Sequence, residues 1–330
     1  MIFGVCVFCF IMYCSSCNQS TNSVPTLPLE EPDPDFCRIT MGMGFADKND
    51  DYLYVNTPTY LYEMDLETKK VLPVKKVSTD PLDLNLVDNK IYYGVLFSGS
   101  IRSFDFETFE DNNVYDEAYT TDVYINDRYI YALTGRGGSL VRIDSESGEA
   151  IELAPAQVFL YDKFGSELYY LYQPDEETPS VMKCFNEHTG TTTEYDLPFE
   201  PISLYVTQDY IYLIESGVLI DGQYHYQMYR YNKENGDVER IEGVDQAYNY
   251  FVINDRIYYE EEYTYKLICY SLTDHSKEVI VENNVGDLTV FSDESIVISK
   301  FGDEADADTG RFYLQRNENG EWEQTKVRPE

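Results

Sequence analysis

"DNKIYYGVLFSGSIRSFDFET" (residues 88–108) joins an apolar–aromatic step, Ile91-Tyr92, to an acidic residue, Asp105, three positions ahead of a threonine. Stretches of the same build recur, as "NDRYIYALTGRGGSLVRIDSES" at 126–147 and "NDRIYYEEEYTYKLICYSLTD" at 254–274. Along the chain the first anchor falls at Leu53-Tyr54, Ile91-Tyr92, Ile130-Tyr131, Leu168-Tyr169, Ile211-Tyr212, Ile257-Tyr258 and, weaker, Ile296-Val297. The spacings are 38, 39, 38, 43, 46 and 39 residues. The second anchor falls at Asp65, Asp105, Asp144, Asn186, Asn232 and Ser271, with Arg316 ahead of Asn319 in the same place in the last repeat. A period near 40 built from short β-rich runs predicts an all-β chain, a seven-bladed β-propeller of four-stranded antiparallel blades.

The four strands of the second repeat read "LDLNLV", "KIYYGVL", "SIRSFDF" and "EDNNVYDE". The Asp-Asn and Asn-Asp pairs ahead of Lys90, Arg128 and Arg256 tolerate positive φ and suit a tight hairpin between the first two strands. Asp65, Asp105 and Asp144 suit the hairpin between the last two, where a carboxylate accepts nearby backbone N–H groups. They are read as turn formers, not as catalytic acids. Tyrosine is abundant, with 32 residues, and its position on strands suits packing between blades.

Length variation sits in one place. The second anchor leads to the next first anchor in 24 to 26 residues, whereas the first leads to the second in 12 to 21. The variable element is therefore the loop between the second and third strands, and in a propeller all such loops emerge on one face. The long ones contain "QPDEETPS", "SGVLIDGQYHYQ" and "FGDEADADTGR". Repeat proteins build function on such loops, and neutral drift in surface loops gives the same lengths. If this is the binding face, its candidate residues are Arg136, Asp175, Glu176, Asp221, Tyr224 and Glu261. Asp303, Asp306 and Asp308 alternate ahead of Gly310, a pattern that suits hard oxygen coordination of calcium. The EF-hand pattern is not met, since its closing Glu is missing, and a solvated acidic loop is the simpler reading.

Charge narrows the partners. Against 24 Lys and Arg stand 60 Asp and Glu, a formal net charge of -36, which repels nucleic acid and anionic membrane. Protein, peptide or glycan ligands remain, bound by a monomer. No Gly-x-Ser-x-Gly, P-loop, Rossmann or His-Glu-x-x-His motif occurs, and the three histidines, His188, His225 and His275, are scattered. No catalytic residue and no cofactor other than calcium is expected.

The apolar run "IFGVCVFCFIMY" followed by "CSSC" has the length of a signal-peptide core rather than a membrane span. "CSSC" resembles a bacterial lipobox, with Cys14 where Leu is favoured, and implies that Cys17 is the lipid-attachment site. The expected organisation is a signal peptide of lipoprotein type at 1–17, a flexible tether at 18–36 and the propeller at 37–330. Fully stretched, that tether spans about 60 Å.

The repeat exemplified by "DNKIYYGVLFSGSIRSFDFETFE" resembles the blades of bacterial extracytoplasmic propeller lipoproteins similar to the LDL-receptor YWTD type. The TolB-like propellers share the strand pattern. Tyr-Tyr and Ile-Tyr stand in place of the Tyr-Trp-Thr-Asp core, and Trp322 is the single tryptophan. The resemblance implies the fold and an extracytoplasmic location, either lipid-anchored at the cell membrane or secreted. The function expected is a non-catalytic binding or scaffold propeller. The alternatives are a carboxylate-dependent glycan hydrolase or lyase and a calcium-stabilised envelope component. Replacing Cys17 with Ser is expected to move the protein from the membrane fraction to the medium. A wild-type protein already free in the medium would overturn the lipid-anchor reading.

Overall fold

The computed structural model describes residues 24–29, 44–57, 59–77, 81–95, 98–117, 119–126, 128–175, 177–220, 223–302 and 310–328. Seven four-stranded antiparallel sheets follow one another along the chain, at 46–76, 81–116, 121–154, 158–195, 201–245, 247–281 and 285–326. They form a β-propeller, and no helix occurs among the described residues. Blade 2 consists of Pro81–Val87, Lys90–Val95, Ser100–Asp105 and Asp111–Asp116, paired in that order. Blade 5 carries an extra two-stranded hairpin, Val218–Ile220 with Gln223–His225, between its second and third strands. Loop length alone marks that insertion and gives no sign of its strands.

The repeat anchors are the core. Leu53, Ile91, Ile130, Leu168, Ile211, Ile257 and Ile296 all have 0% exposure, so each marks the middle of a sheet covered by blades on both sides. Asp88 and Asn254 sit at φ 52° in the first hairpins. Asp65, Asp105 and Asp144 each accept the N–H groups two and three residues ahead, at 2.7–3.1 Å. In the last blade the turn former is Asn317, not Arg316: Asn317 Oδ1 accepts Asn319 N–H and Glu321 N–H, both at 3.0 Å. Arg316 is engaged sideways, over the Trp322 ring at 4.5 Å and on Glu278 at 2.6 Å.

First strands of neighbouring blades touch one another around the axis, and fourth strands are largely exposed at the rim. Polar side chains of the first strands stitch blade to blade. Asp47 Oδ2 accepts Leu86 N–H at 2.6 Å. Asp83 accepts Gly44 N–H at 3.3 Å on one oxygen and Val123 N–H at 3.0 Å on the other, linking blades 1, 2 and 3. Asn85 accepts Ile125 N–H and donates to Val123 O, and Asp162 Oδ2 accepts Val206 N–H at 2.6 Å. Buried donors and acceptors are thereby paired across joints that no ladder crosses.

Each sheet is made of strands from one continuous segment of the chain, so the ring closes without an exchanged strand. Blade 7 meets blade 1 through side chains. The Arg311 guanidinium lies 4.1 Å from the Phe45 ring centre and donates to Asn56 O at 3.3 Å. Lys69 lies over the Tyr313 ring and donates to Gln315 Oε1 at 2.7 Å. Val297 and Tyr313 share a buried cluster with Leu53, Val55 and Met64. Truncating Arg311 to Ala is expected to cost about 1–3 kcal/mol through lost cation–π and hydrogen-bond contacts. Chemical denaturation checks this, as a fall in the midpoint with the far-UV spectrum of the native state unchanged.

Candidate functional site

Second-to-third-strand loops and third-to-fourth-strand turns lie on opposite faces, because strands alternate in direction; these are the loop face and the turn face. On the loop face the blade 5 hairpin leans on blade 6. Tyr224 N–H donates to Tyr263 Oη at 2.8 Å, and the Tyr224 and Tyr226 rings stack at 6.2 Å. Gln246 holds the base of the hairpin, accepting Tyr226 N–H on Oε1. Gly217 is required where the hairpin leaves the blade, since a Cβ there would fall 2.8 Å from Tyr226 Cε1. Blade 6 then reaches blade 7, where Tyr265 meets Phe301 edge-to-face at 4.8 Å.

The result is an arc of aromatic rings across three blades. Tyr224, Tyr263, Tyr265 and Phe301 are 49%, 39%, 41% and 45% exposed, and Leu219 beside Tyr224 in the hairpin is 59% exposed. Contiguous exposed aromatic surface is uncommon on a soluble chain and marks docking surfaces. The turn that presents it is strained: Tyr263 has φ 70° and Tyr265 φ 54°, the left-handed region where bulky residues are rare. The turn is closed by Tyr265 N–H on Glu261 O at 2.8 Å and by Thr264 Oγ1 on the Glu261 carboxylate at 2.6 Å. Strain of this kind persists only where neighbours over-determine it, and it concentrates at functional sites.

Acids flank the arc. Glu260 is buried, and burial lifts its carboxyl to about 8; its bond from Asn249 opposes the shift, and the charges of Asp287 and Glu262 add to it. Burial also raises Glu262, whose Oε2 has no hydrogen-bond partner among the described residues. Along the axis, Asp47 is raised to about 6 by burial, against the pull of its Leu86 and Lys48 backbone bonds. Asp83 and Asp122 are both raised by burial, and their mutual repulsion contributes to the shift in Asp83. Asp47, Asp83 and Asp162 have oxygens engaged by backbone N–H groups, which makes them structural stitches. Among the described residues no group of three or more His, Cys, Asp and Glu is placed to hold a metal ion.

Of the candidates named from the sequence, Tyr224 and Glu261 lie in adjoining loops of the arc, linked through Tyr263 and its turn. Arg136 lies on the same face over the Tyr119 ring at 5.2 Å. Asp175 closes its own loop by accepting Glu177 and Thr178 N–H groups, and the Thr178 side-chain bond, with these backbone bonds after it, holds its carboxyl below the usual range. Glu176, Asp221, Asp303, Asp306 and Asp308 lie outside the described residues, as does Cys17. Reading the sequence alone misses Tyr263, Tyr265 and Phe301, and it misses the axial acids. A signal for the latter exists: Asp83 and Asp122 stand eight residues ahead of a first anchor, and Asp47 and Asp162 stand six residues ahead of one.

No family model matches the chain, and no curated protein matches it in sequence. Among solved structures it is similar to the β-propeller domain of the trilobed protease from Pyrococcus furiosus, a domain described as having an open velcro topology. That likeness has a TM-score of 0.62 at 14% identity, over 89% of this chain and 97% of that one. The tricorn protease matches at TM-score 0.60 and 11% identity over 91% of this chain, which spans only 36% of that protease. An oligogalacturonate lyase in complex with manganese matches at 0.60 and 10% identity, over 80% of this chain and 85% of that one. At such identities the likeness shows the fold alone.

Raised carboxyl pKa values set the sign of the pH response. The folded chain holds these protons to higher pH than the unfolded chain does. The stability they contribute is therefore complete below the unfolded values, 3.8 for Asp and 4.5 for Glu, and is lost as pH rises through the folded ones. The thermal midpoint is expected to fall by roughly several degrees from pH 4 to pH 8. Asp47→Asn should flatten the lower part of that slope and Glu260→Gln the part up to pH 8. Scanning calorimetry over the range checks it, and an unchanged slope in both variants would refute it.

Proposed function

We propose that the chain is a non-catalytic, extracytoplasmic binding propeller, anchored at the bacterial cell surface, that docks a protein or peptide on its loop face. The aromatic arc of Tyr224, Tyr263, Tyr265 and Phe301 is the observation that carries the reading. Rings of this kind give large contact area at small entropic cost, and Glu261 and Glu262 beside them favour a ligand that also bears Lys or Arg. A surface of net charge -36 strengthens that preference, and its contribution falls as salt rises. The extracytoplasmic, lipid-anchored part of the reading rests on the "CSSC" segment ending at Cys17.

One observation favours a second reading, a carboxylate-dependent glycan hydrolase or lyase. Glu260 is a buried acid, bonded to Asn249 on the innermost strand of its blade, that keeps its proton to about pH 8 and could donate it to a leaving group. Turnover of neutral or acidic oligosaccharides that is abolished in Glu260→Gln would establish it.

Tyr265→Gly separates stability from binding. Glycine relieves the left-handed strain while deleting one ring of the arc, so the thermal midpoint should hold or rise. Selection from a displayed peptide library on the full chain should enrich sequences combining basic and apolar residues. Those peptides should bind Tyr265→Gly and Tyr224→Ala at least about tenfold more weakly, a loss of 1.4 kcal/mol or more. Equal binding to wild type and both variants would overturn the assignment.

A further inference from the structure

Residues 24–29, "VPTLPL", lie against the turn face at the joint of blades 3 and 4. Leu27 N–H donates to Glu187 O at 2.9 Å, Arg142 Nη2 donates to Pro25 O at 3.0 Å, and His188 Nδ1 lies 3.3 Å from Leu27 O. Val24 packs on the buried cluster of Leu140, Leu153 and Phe185. Thr26 crosses Gly190, where an added Cβ would come within 3.2 Å of its methyl group.

Beneath the segment is a buried charge cluster. Arg142, Lys163 and Glu187 are 3%, 4% and 1% exposed. Glu187 accepts Arg142 Nη1 at 2.6 Å on one oxygen and Tyr131 Oη at 2.8 Å on the other, which lies 3.8 Å from Lys163 Nζ. Two cations face one carboxylate, and main-chain carbonyls also accept from them: Gly165 O from Lys163 and Pro25 O from Arg142. The extended segment therefore supplies an acceptor that a buried guanidinium needs. Its prolines at 25 and 28 favour the extended form and lower the cost of ordering it.

We propose that residues 24–29 are a strap that sets which way the propeller faces. Chain leaving the strap toward its N-terminus departs from the turn face, so the loop face and its aromatic arc point away from whatever that end is attached to. An attachment at Cys17 then leaves six residues, 18–23, between anchor and strap, a contour of about 20 Å instead of the about 60 Å of a tether running to residue 36. The turn face is held toward the attachment and the loop face is displayed.

Two measurements on the full chain test this. A benzophenone amino acid at position 29 is irradiated and its cross-links are mapped by mass spectrometry. They are expected on the third-to-fourth-strand turns of blades 3 and 4. The double variant Val24→Asp with Leu27→Pro removes the apolar plug and the strap's N–H donor without touching any blade, and it should scatter them. In the second, streptavidin is bound to a biotin encoded at position 20 and the complex is footprinted with hydroxyl radicals. His188 and its turn should be protected several-fold while Tyr224 and Tyr263 stay as reactive as in the unbound chain; the double variant should lose the difference. Cross-links on the loop face, a pattern the double variant leaves unchanged, or equal protection of both faces would overturn the proposal.

Discussion

A ring of sheets, each woven from one continuous segment of the chain, has no shared strand to hold it together, and its joints rest on side chains with isolated backbone bonds such as Leu84 N–H to Gly44 O and Val285 N–H to Tyr265 O. The first strands meet this constraint with short polar groups. A carboxylate or amide that leaves its own strand and accepts a neighbour's N–H does what a ladder bond does within a sheet. Asp83 serves two neighbours at once, and Asp47, Asn85 and Asp162 serve one each. Burying these acids penalises their charged forms, which is why Asp47 and Asp83, like Asp122 beside Asp83, retain protons above the ordinary carboxylate range. Blades 5 to 7 depend more on packed aromatic and aliphatic groups: Tyr250, Tyr258 and Tyr259 are fully buried there, with Tyr250 Oη donating to Tyr212 O across the blade 5–6 joint.

The division between the two halves of the ring extends to the surface. Where the axis is polar, the loops above it are short or closed on themselves, as in blades 3 and 4. Where the joints are apolar, the loops grow into a hairpin and a strained turn that lean on one another. Tyr224, Tyr263, Tyr265 and Phe301 belong to three different blades, yet one ring contact, two hydrogen bonds and the shared Tyr263–Tyr265 turn hold them in a single arrangement. A preorganised aromatic surface loses little freedom on binding, which favours recognition over a site that must order itself.

How much of this can be read from the chain depends on the range of each interaction. The blade count, the strand order and the hairpin turns follow from local signals, since an anchor residue with 0% exposure and an Asp that bonds two residues ahead both announce themselves within one repeat. The one-residue error at the last turn arises because Arg316 keeps the spacing while Asn317 holds the chemistry. Joint-forming residues are harder to see. Asp within a strand reads as a turn or an edge unless its fixed distance from the anchor is compared between repeats, and the neighbouring blade, about 40 residues away, shows it to be a stitch. The arc is only half visible for the same reason: Tyr224 stands out inside a long insertion, but Tyr263 and Tyr265 sit in a turn of ordinary length and acquire meaning only from the loops beside it.

Consecutive strands in every blade have an evolutionary consequence. Because repeat boundaries and blade boundaries coincide, duplication of one repeat adds a complete sheet, and deletion removes one, without re-threading a strand through another blade. The same property makes the connections between blades natural cutting points. New termini placed there, with the old ends joined, would sever no ladder hydrogen bond and leave each sheet whole. The blade number is then governed by how side chains at each joint set the angle between neighbours, a quantity that substitutions can adjust gradually, and not by the register of a clasping strand, which changes only in whole steps.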